Sequence, residues 1–247
     1  MEIGAQLYTV REFCKTPEDL EKTLSKISEI GYRNVQIAGT CEYDAKWLNE
    51  VLKKNGLKCV LTHTRTPKFM ENLDKVLQDH ETLSCDRIGL GVYRFNETSE
   101  PFERFFQIYE PIVNILAKSK KYFMFHNHAA EFQKKEGKLI LDHLAERFSP
   151  DHFGFTLDLY WVQMGGGDPA FWLEKLAGRV PCIHLKDFAF GQKMAVIGEG
   201  NLNWDRIFEK ASLAGTEYML VEQDDCYGED PFDCLKRSFE FLRSRGF

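Results

Sequence analysis

The chain has 247 residues, 43% of them apolar, and a formal net charge of −6. That apolar content supports a large buried core and excludes a disordered chain. The mild acidic balance, spread along the chain, argues against a nucleic-acid surface, which needs clustered Lys and Arg. Seven cysteines, no two closer than eight residues, leave no CxxC redox or zinc-ribbon pattern.

Strand-like and helix-like stretches alternate from the start. Ile3 to Thr9 reads as a strand, with no basic or long apolar leader before it. Thr16-Pro-Glu-Asp opens a helix carrying Leu20, Leu24, Ile27 and Ile30 at helical spacing, and Gly31 stops it. Asn34 to Ala38 is a strand. Ala45 to Lys54 is a helix closed by Asn55-Gly56. Lys58 to Thr62 is a strand ending at His63, and Pro67 to His80 is helical. Arg87 to Leu90 is a short strand, followed by a helix from Thr98-Ser-Glu-Pro101 through Leu116. The basic run Lys118-Ser-Lys-Lys121 is expected as a solvated helix end.

Tyr122 to Phe125 is strand five and Leu139 to Phe148 its helix. Phe153 to Leu157 is strand six, with Asp168-Pro-Ala-Phe capping the next helix. Cys182 to Leu185 is strand seven, with a helix from Asn203. Met219 to Val221 is strand eight, and Asp230-Pro starts the last helix. Eight strand–helix units in a chain of about 250 residues predict a parallel α/β fold closed as a single (β/α)8 TIM barrel. No Pro/Gly/Ser-rich linker interrupts them, so residues 1–247 are expected to form one domain. No run approaches about 18 apolar residues, so no membrane span is expected. The cysteine usage fits a reducing, cytoplasmic setting.

Four of the apolar runs end in a metal-liking side chain: His126, Asp158, His184 and Glu222. The carboxyl ends of barrel strands converge on one face. Two imidazoles and two carboxylates there are enough to hold one divalent cation, and a mixed N/O set suits Mn, Zn, Co or Fe better than Ca. In a strand, His126 and His128 point to the same side; if the strand stops at His126, only that ring need face a pocket. Asp158 follows apolar residues, so its carboxylate is expected to be buried and paired, metal-bound or used as a helix N-cap. Lys186 shares a face with His184. It suits an anionic or hydroxyl group of a substrate, or a salt bridge to Asp187 or Asp158. Asp224, on the face of Glu222 if the strand continues, is the alternative ligand.

Gln6 and Tyr8, on one face of strand one, and His63 could line a sugar-sized cavity or be ordinary interior polar residues. The segment from Asp187 to Leu202 is the longest loop and contains Gly191, Gly198 and Gly200. It is expected to act as a lid that swings Glu199 over the pocket. Gly165-Gly-Gly167 lacks the spacing of a nucleotide fingerprint, and no GxSxG element is present.

Taken together, Gly4-Ala-Gln6-Leu-Tyr-Thr-Val-Arg11, His126-Asn-His128-x-x-Glu131-Phe, Leu157-Asp158-Leu-Tyr-Trp161, His184-x-Lys186-Asp187, Gly198-Glu-Gly200 and Val221-Glu222-Gln-Asp224 resemble the xylose isomerase-like TIM-barrel superfamily. Within it, the chain resembles the sugar phosphate isomerase/epimerase group. The resemblance spans nearly the whole chain. It implies one divalent metal ion (Mn, Zn, Co, Fe or Mg) and a small sugar or polyol substrate with adjacent hydroxyl and carbonyl groups. The net charge and the lack of a long apolar run predict no nucleic-acid and no membrane partner, and a homo-oligomer is compatible with the chain.

Asp158, His184 and Glu222 match three of the usual four ligands. The fourth, normally a Glu ending strand five, is here His126. In the epimerases of this superfamily, carboxylates from strands five and eight serve on opposite faces of the substrate. A neutral, metal-bound imidazole is a poor base. Relatives with a similar strand five include keto-inositol dehydratases and lyases acting on 3-keto-sugars. The reading implied is proton abstraction beside a sugar carbonyl. Glu222 serves as base, Lys186 or Glu131 assists, and Gln6, Tyr8, His63, His128, Trp161 and Glu199 bind substrate. Isomerisation or epimerisation is the first outcome, and loss of a β-substituent by a dehydratase or lyase the alternative. A non-catalytic carbohydrate-binding barrel is the reading from another class.

Overall fold

The computed structural model describes residues 1–95 and 102–247. Eight strands close a parallel barrel: β1 (Glu2–Gln6), β2 (Asn34–Ile37), β3 (Lys58–His63), β4 (Arg87–Leu90), β5 (Tyr122–His126), β6 (Phe153–Asp158), β7 (Cys182–Leu185) and β8 (Tyr218–Val221). Their order around the barrel is their order in sequence, and β1 pairs with β8 to close it. This is a (β/α)8 TIM barrel.

The helices begin and end where local chemistry dictates. In α1 (Pro17–Ile30), the Thr16 hydroxyl accepts from the Asp19 N–H, Pro17 opens the first turn, and Gly31 stops the helix at φ +125°. Leu20, Leu24 and Ile27 form its buried stripe. Asp44 caps α2 (Ala45–Lys54). The stretch expected as one helix from Pro67 to His80 is two, α3 (Thr66–Glu71) and α4 (Leu73–Thr82). Asn72 leaves helical geometry at φ −154°, and its side chain caps α4 through the Lys75 N–H. The expected start of the next helix at Thr98 to Pro101 lies outside the described residues; α5 runs Glu103–Lys118. The remaining helices are α6 (Ile140–Arg147), α7 (Leu159–Met164), α8 (Pro169–Lys175), α9 (Trp204–Leu213) and α10 (Pro231–Ser244). After α5, Lys121 is not a solvated helix-end residue: it is buried against Glu81 and Asp86 at 3.2 and 2.8 Å.

Strand one is shorter than the apolar run suggests. Gln6 Oε1 accepts the Tyr8 N–H at 2.6 Å, and residues Leu7–Phe13 turn into a 3₁₀ segment. Gln6 and Tyr8 therefore do not share a strand face.

Alternation along the strands builds two separate interiors. Outward residues such as Phe123, Phe125, Phe153, Leu157, Ile183 and Val221 pack under the helices. Phe148 stacks on Phe153 at 4.2 Å, and Phe105 meets Phe125 edge-on. Each buried ring of this kind contributes roughly 1.5–3 kcal/mol. Inward, Val60, Leu61, Met124, Cys182, Tyr218 and Leu220 form a small plug inside the barrel. Two residues beyond Met124, Cys182 and Leu220, on the same strand faces, stand His126, His184 and Glu222. Asp158 is the direct register partner of His184. The four candidate ligands thus form the next layer above the plug.

Candidate metal centre and substrate cavity

His126, Asp158, His184 and Glu222 are all buried, and one donor atom from each lies within 4.8 Å of the other three. The hydrogen bonds around them set which atoms face inward. His126 Nδ1 is 2.9 Å from the Gly91 carbonyl, which can only accept. That ring nitrogen must carry the proton, and the neutral ring then points the Nε2 lone pair at Asp158 Oδ2, 3.2 Å away. His184 is tied in the same way: Nε2 donates to Gln36 Oε1 at 2.6 Å, and Nδ1 faces Glu222 Oε2 at 2.9 Å and Asp158 Oδ2 at 3.5 Å. Despite the short separation, neither His184 Nδ1 nor Glu222 Oε2 makes a directed hydrogen bond.

With His184 neutral, two imidazole lone pairs face two carboxylates, which the Lys186 ammonium also meets. A shared cation satisfies all four atoms. An imidazole whose outer N–H is held by a carbonyl is the usual support for a metal-bound histidine. The donor set fits a divalent transition-metal ion.

The carboxylates are further positioned by local structure. Asp158 is both a helix cap and a member of the cluster: Oδ1 accepts the Trp161 N–H at 3.0 Å while Oδ2 faces the rings. Asn127 brackets its backbone, accepting the Asp158 N–H at 2.9 Å. Glu222 Oε1 accepts from Gln6 Nε2 at 2.8 Å. Lys186 Nζ lies 3.0 Å from Asp158 Oδ2, 2.9 Å from Glu222 Oε2 and 2.9 Å from Asp224 Oδ1. Its partners of the sequence reading were Asp187 or Asp158, and Asp158 is the one it meets.

Burial and these pairings move the ionisations. Burial is the largest influence on both Asp158 and Glu222 and opposes their charge, but the Lys186 ammonium and the nearby rings together outweigh it, and both carboxyls fall below their usual range. Burial also opposes charge on His184, yet Glu222 and Asp158 raise it. Burial pushes Asp224 up to about 7, reinforced by the Glu222 charge. Burial lowers His128 to about 3 and holds His63 well below its ordinary value, with neighbouring rings adding to the effect.

Above the layer opens a cavity of roughly 620 Å³. Of the residues singled out from sequence, Gln6, Tyr8, His63, His126, His128, Trp161, Lys186 and Glu222 line it, as does Asp224. Asp158 and His184 are fully buried at its floor. Both His126 and His128 reach the cavity although the strand stops at His126. His63 stands 5.1 Å from the His126 ring and 5.6 Å from that of His184, with Nε2 unpartnered. A Cβ at Gly91 would meet His63 Nδ1 at 2.7 Å, so only glycine leaves that ring its place.

Two expected site residues are elsewhere. Glu131 is buried behind the cavity, accepting the His128 N–H at 2.7 Å, and burial raises it to about 7. It shapes the turn after β5 and does not border the cavity. Glu199 points outward and pairs with Arg237 on α10 at 3.0 Å.

The expected lid is likewise corrected: residues Asp187–Ala189 and Lys193–Ala195 form a hairpin, and no residue of the segment borders the cavity. The buried Asp187 carboxylate pins the segment. It accepts from the N–H groups of Phe188, Gly198, Gly200 and Leu202 and from Trp204 Nε1, all at 2.8–3.2 Å. A Cβ at Gly200 would meet that carboxylate at 2.4 Å.

Sequence reasoning passed over Gln36, Asn127 and three arginines at the cavity, Arg11, Arg65 and Arg94. Gln36 was legible in principle, since Asn34 and Gln36 alternate with apolar residues and share an inward face.

The family model for the xylose isomerase-like TIM barrel matches residues 24–245. The chain belongs to the xylose isomerase-like TIM-barrel family. An inosose dehydratase of Mesomycoplasma hyopneumoniae strain 7448 is 24% identical, over 91% of this chain and 88% of the relative. A sugar phosphate isomerase/epimerase from Parabacteroides distasonis superposes with a TM-score of 0.83 at 23% identity, covering 99% of this chain and 94% of that one. An L-ribulose 3-epimerase superposes with a TM-score of 0.76 at 14% identity, covering 99% and 94%. The neighbours of this xylose isomerase-like barrel thus include isomerase/epimerases and a dehydratase. No helix of the described residues is long and apolar enough to cross a membrane.

Proposed function

We propose that the protein is a divalent-metal-dependent sugar isomerase or epimerase that abstracts a proton from carbon next to a carbonyl. The observation that carries this reading is the layer of two imidazole lone pairs facing two carboxylates at the floor of a sugar-sized cavity. His126, Asp158, His184 and Glu222 would hold the ion. When bound, it supplies Lewis-acid stabilisation of the negative charge that develops as the proton leaves.

The chain's own groups do the rest. Glu222, ionised and oriented by Gln6 Nε2 on Oε1, serves as the base. Lys186, bridging Glu222 and Asp224, presents its ammonium beside the reacting carbons, where it assists proton return or departure of an oxygen substituent. Gln6, Tyr8, His63, His128 and Trp161 orient the substrate in the cavity. Glu131 acts only by holding the His126–His128 turn.

A second reading, a dehydratase or lyase acting on a keto-sugar or keto-inositol, is favoured by the inosose dehydratase relative and by His126 in place of a strand-five carboxylate. Both readings begin with the same proton removal. The test is incubation of the metal-loaded protein in deuterated water with a panel of aldoses, ketoses and keto-inositols, followed by NMR. Deuterium entering at the carbon beside the carbonyl supports the shared step. Product shape then separates the readings: an isomer or epimer for the first, an unsaturated or dehydrated ketone for the second. No deuterium and no product across the panel would leave a carbohydrate-binding barrel without this chemistry.

A further inference from the structure

The seven cysteines are not equally placed. Cys14, Cys59, Cys85, Cys182 and Cys234 are buried, whereas Cys41 and Cys226 are half-exposed. Cys226 lies on the turn between β8 and α10. It borders a cleft that shares Arg11 and Asp224 with the substrate cavity. Its thiol shares a hydrogen bond with the thiol of Cys234, in the first turn of α10. No part of the chemistry proposed above uses either group.

The backbone holds this pair together. The Glu229 N–H donates to the Cys226 carbonyl at 2.9 Å and closes a tight turn. Its central residues, Tyr227 and Gly228, are both left-handed, at φ +51° and +89°. Glycine takes that geometry freely; a tyrosine keeps it only where its surroundings hold it. Here the Tyr227 N–H donates to Asp225 Oδ1 at 2.7 Å, and its hydroxyl accepts the Met194 N–H at 3.1 Å. The turn returns the chain to Asp230, which caps α10 and whose carbonyl accepts the Cys234 N–H at 3.0 Å. Between the thiols Cys234 donates. That bond lowers Cys226 below the ordinary thiol range and raises Cys234. A half-exposed sulfur with thiolate character, backed by a second thiol, is the setting in which oxidants act. The other thiols lack one requirement each. Cys59 and Cys85 share a hydrogen bond but are sealed under the helices. Cys41 is reachable, and its N–H donates to the Cys14 carbonyl at 2.7 Å, but burial raises its thiol.

We propose that Cys226 and Cys234 are a peroxide-sensitive dithiol that closes to a reversible disulfide at the edge of the cavity. The Cys226 thiolate attacks one oxygen of hydrogen peroxide. The S–O bond forms, the O–O bond breaks, and hydroxide leaves and takes up the proton that Cys226 had released. The sulfur is thereby oxidised to a sulfenic acid and the peroxide reduced. Cys234 then attacks that sulfur. The S–S bond forms, the S–O bond breaks, and water leaves with the Cys234 proton. A dithiol reductant reverses the sequence. The bond fastens the segment from Asp224 to Glu229 to α10, and Asp224 is the carboxylate that holds Lys186 from outside the metal layer.

The experiment treats the reduced full chain with a small excess of hydrogen peroxide, blocks the remaining thiols with iodoacetamide and maps the digest by mass spectrometry. Titratable thiols in the unfolded product should fall from seven to five. Cys226 and Cys234 should be joined within one chain, and dithiothreitol should recover both. Cys226→Ser should slow peroxide consumption about tenfold or more, since reactivity follows thiolate fraction and access. Cys234→Ser should stop at a Cys226 sulfenic acid that dimedone traps. Amide exchange of residues 223–229 should slow in the oxidised chain. Retention of all seven thiols, a first bond between Cys14 and Cys41, or oxidation of Cys226 without Cys234 would overturn the proposal; each is read on the native sequence, so none depends on a variant folding. Unchanged peroxide consumption in Cys226→Ser would overturn it equally. Unchanged exchange in the disulfide-bonded chain would overturn the restraint on Asp224.

Discussion

The two halves of the barrel mouth are built differently. Strands β5 to β8 end in His126, Asp158, His184 and Glu222, all buried, each joined on the inside to the next. At the carboxyl ends of β1 to β4, Gln6 and His63 close their strands and Ala38 and Gly91 follow theirs, and the charged groups of this half are on the segments beyond, at Arg11, Arg65 and Arg94. One half concentrates charge where water is excluded and electrostatic effects are large. The other carries its positive charge beyond the strand ends, nearer to solvent. The proposed chemistry therefore occupies one wall, and substitutions on the two halves should fail in different ways.

The largest effect is expected on the chemical wall. Glu222→Gln keeps a ligating oxygen but removes most of the basicity. Turnover should fall by about 10²–10⁴-fold while metal content changes little. Near-normal deuterium exchange in this variant would end the case for Glu222 and move attention to Asp224, which shares Lys186 with it.

The β1–β4 half contains a titrating group outside either wall. His80 on α4 is buried, with Nδ1 donating to the Val76 carbonyl at 2.7 Å and Nε2 accepting from the Thr62 hydroxyl at 2.7 Å. Burial pushes it down to about 4 from an ordinary 6.5. The unfolded chain therefore binds a proton that the folded chain refuses between those values. Stability contributed by neutral His80 is complete above about 6.5 and is lost as pH falls toward 4, by about 3 kcal/mol in all. Urea denaturation at pH 7 and pH 4.5 should show that loss in the native protein and a smaller one in His80→Gln. Identical pH slopes in the two would remove His80 as the cause.

Gln36 crosses between the halves, since it comes from β2 and holds His184. Gln36→Leu should release the ring and weaken metal binding about 10–100-fold, the usual cost of losing an outer hydrogen bond to a ligand. An unchanged metal affinity would show that His184 needs no such support. The smallest effect is expected in the segment 187–202. Pinned by Asp187 and remote from the cavity, it should show the same amide exchange with and without bound sugar, whereas a lid would slow its exchange on binding.

The same division governed what could be read from sequence. The barrel was legible because eight apolar runs alternate with capped helical stretches. The chemical wall was legible because each of its groups directly follows a β-strand run. The cavity arginines were not, because Arg65 and Arg94 lie in loops, where no periodicity marks a direction. Local side-chain bonds caused the other departures. Gln6 captures the Tyr8 N–H and ends strand one early; Asn72 caps a new helix where the pattern runs on. Glu199 looked like a lid acid because glycines flank it, but the anchor of that segment is Asp187, and its contacts apart from Phe188 are to residues 11 to 17 positions later. Such bonds depend on tertiary placement that residue spacing does not encode.

The central claim is that the β5–β8 strand ends hold one divalent cation. Anomalous diffraction from crystals soaked in a manganese or zinc salt tests it directly. The account predicts a single strong peak at bonding distance, about 2.0–2.3 Å, from His126 Nε2, Asp158 Oδ2, His184 Nδ1 and Glu222 Oε2, abolished in Asp158→Asn. A map with no peak there, and Lys186 alone neutralising Asp158 and Glu222, would contradict it.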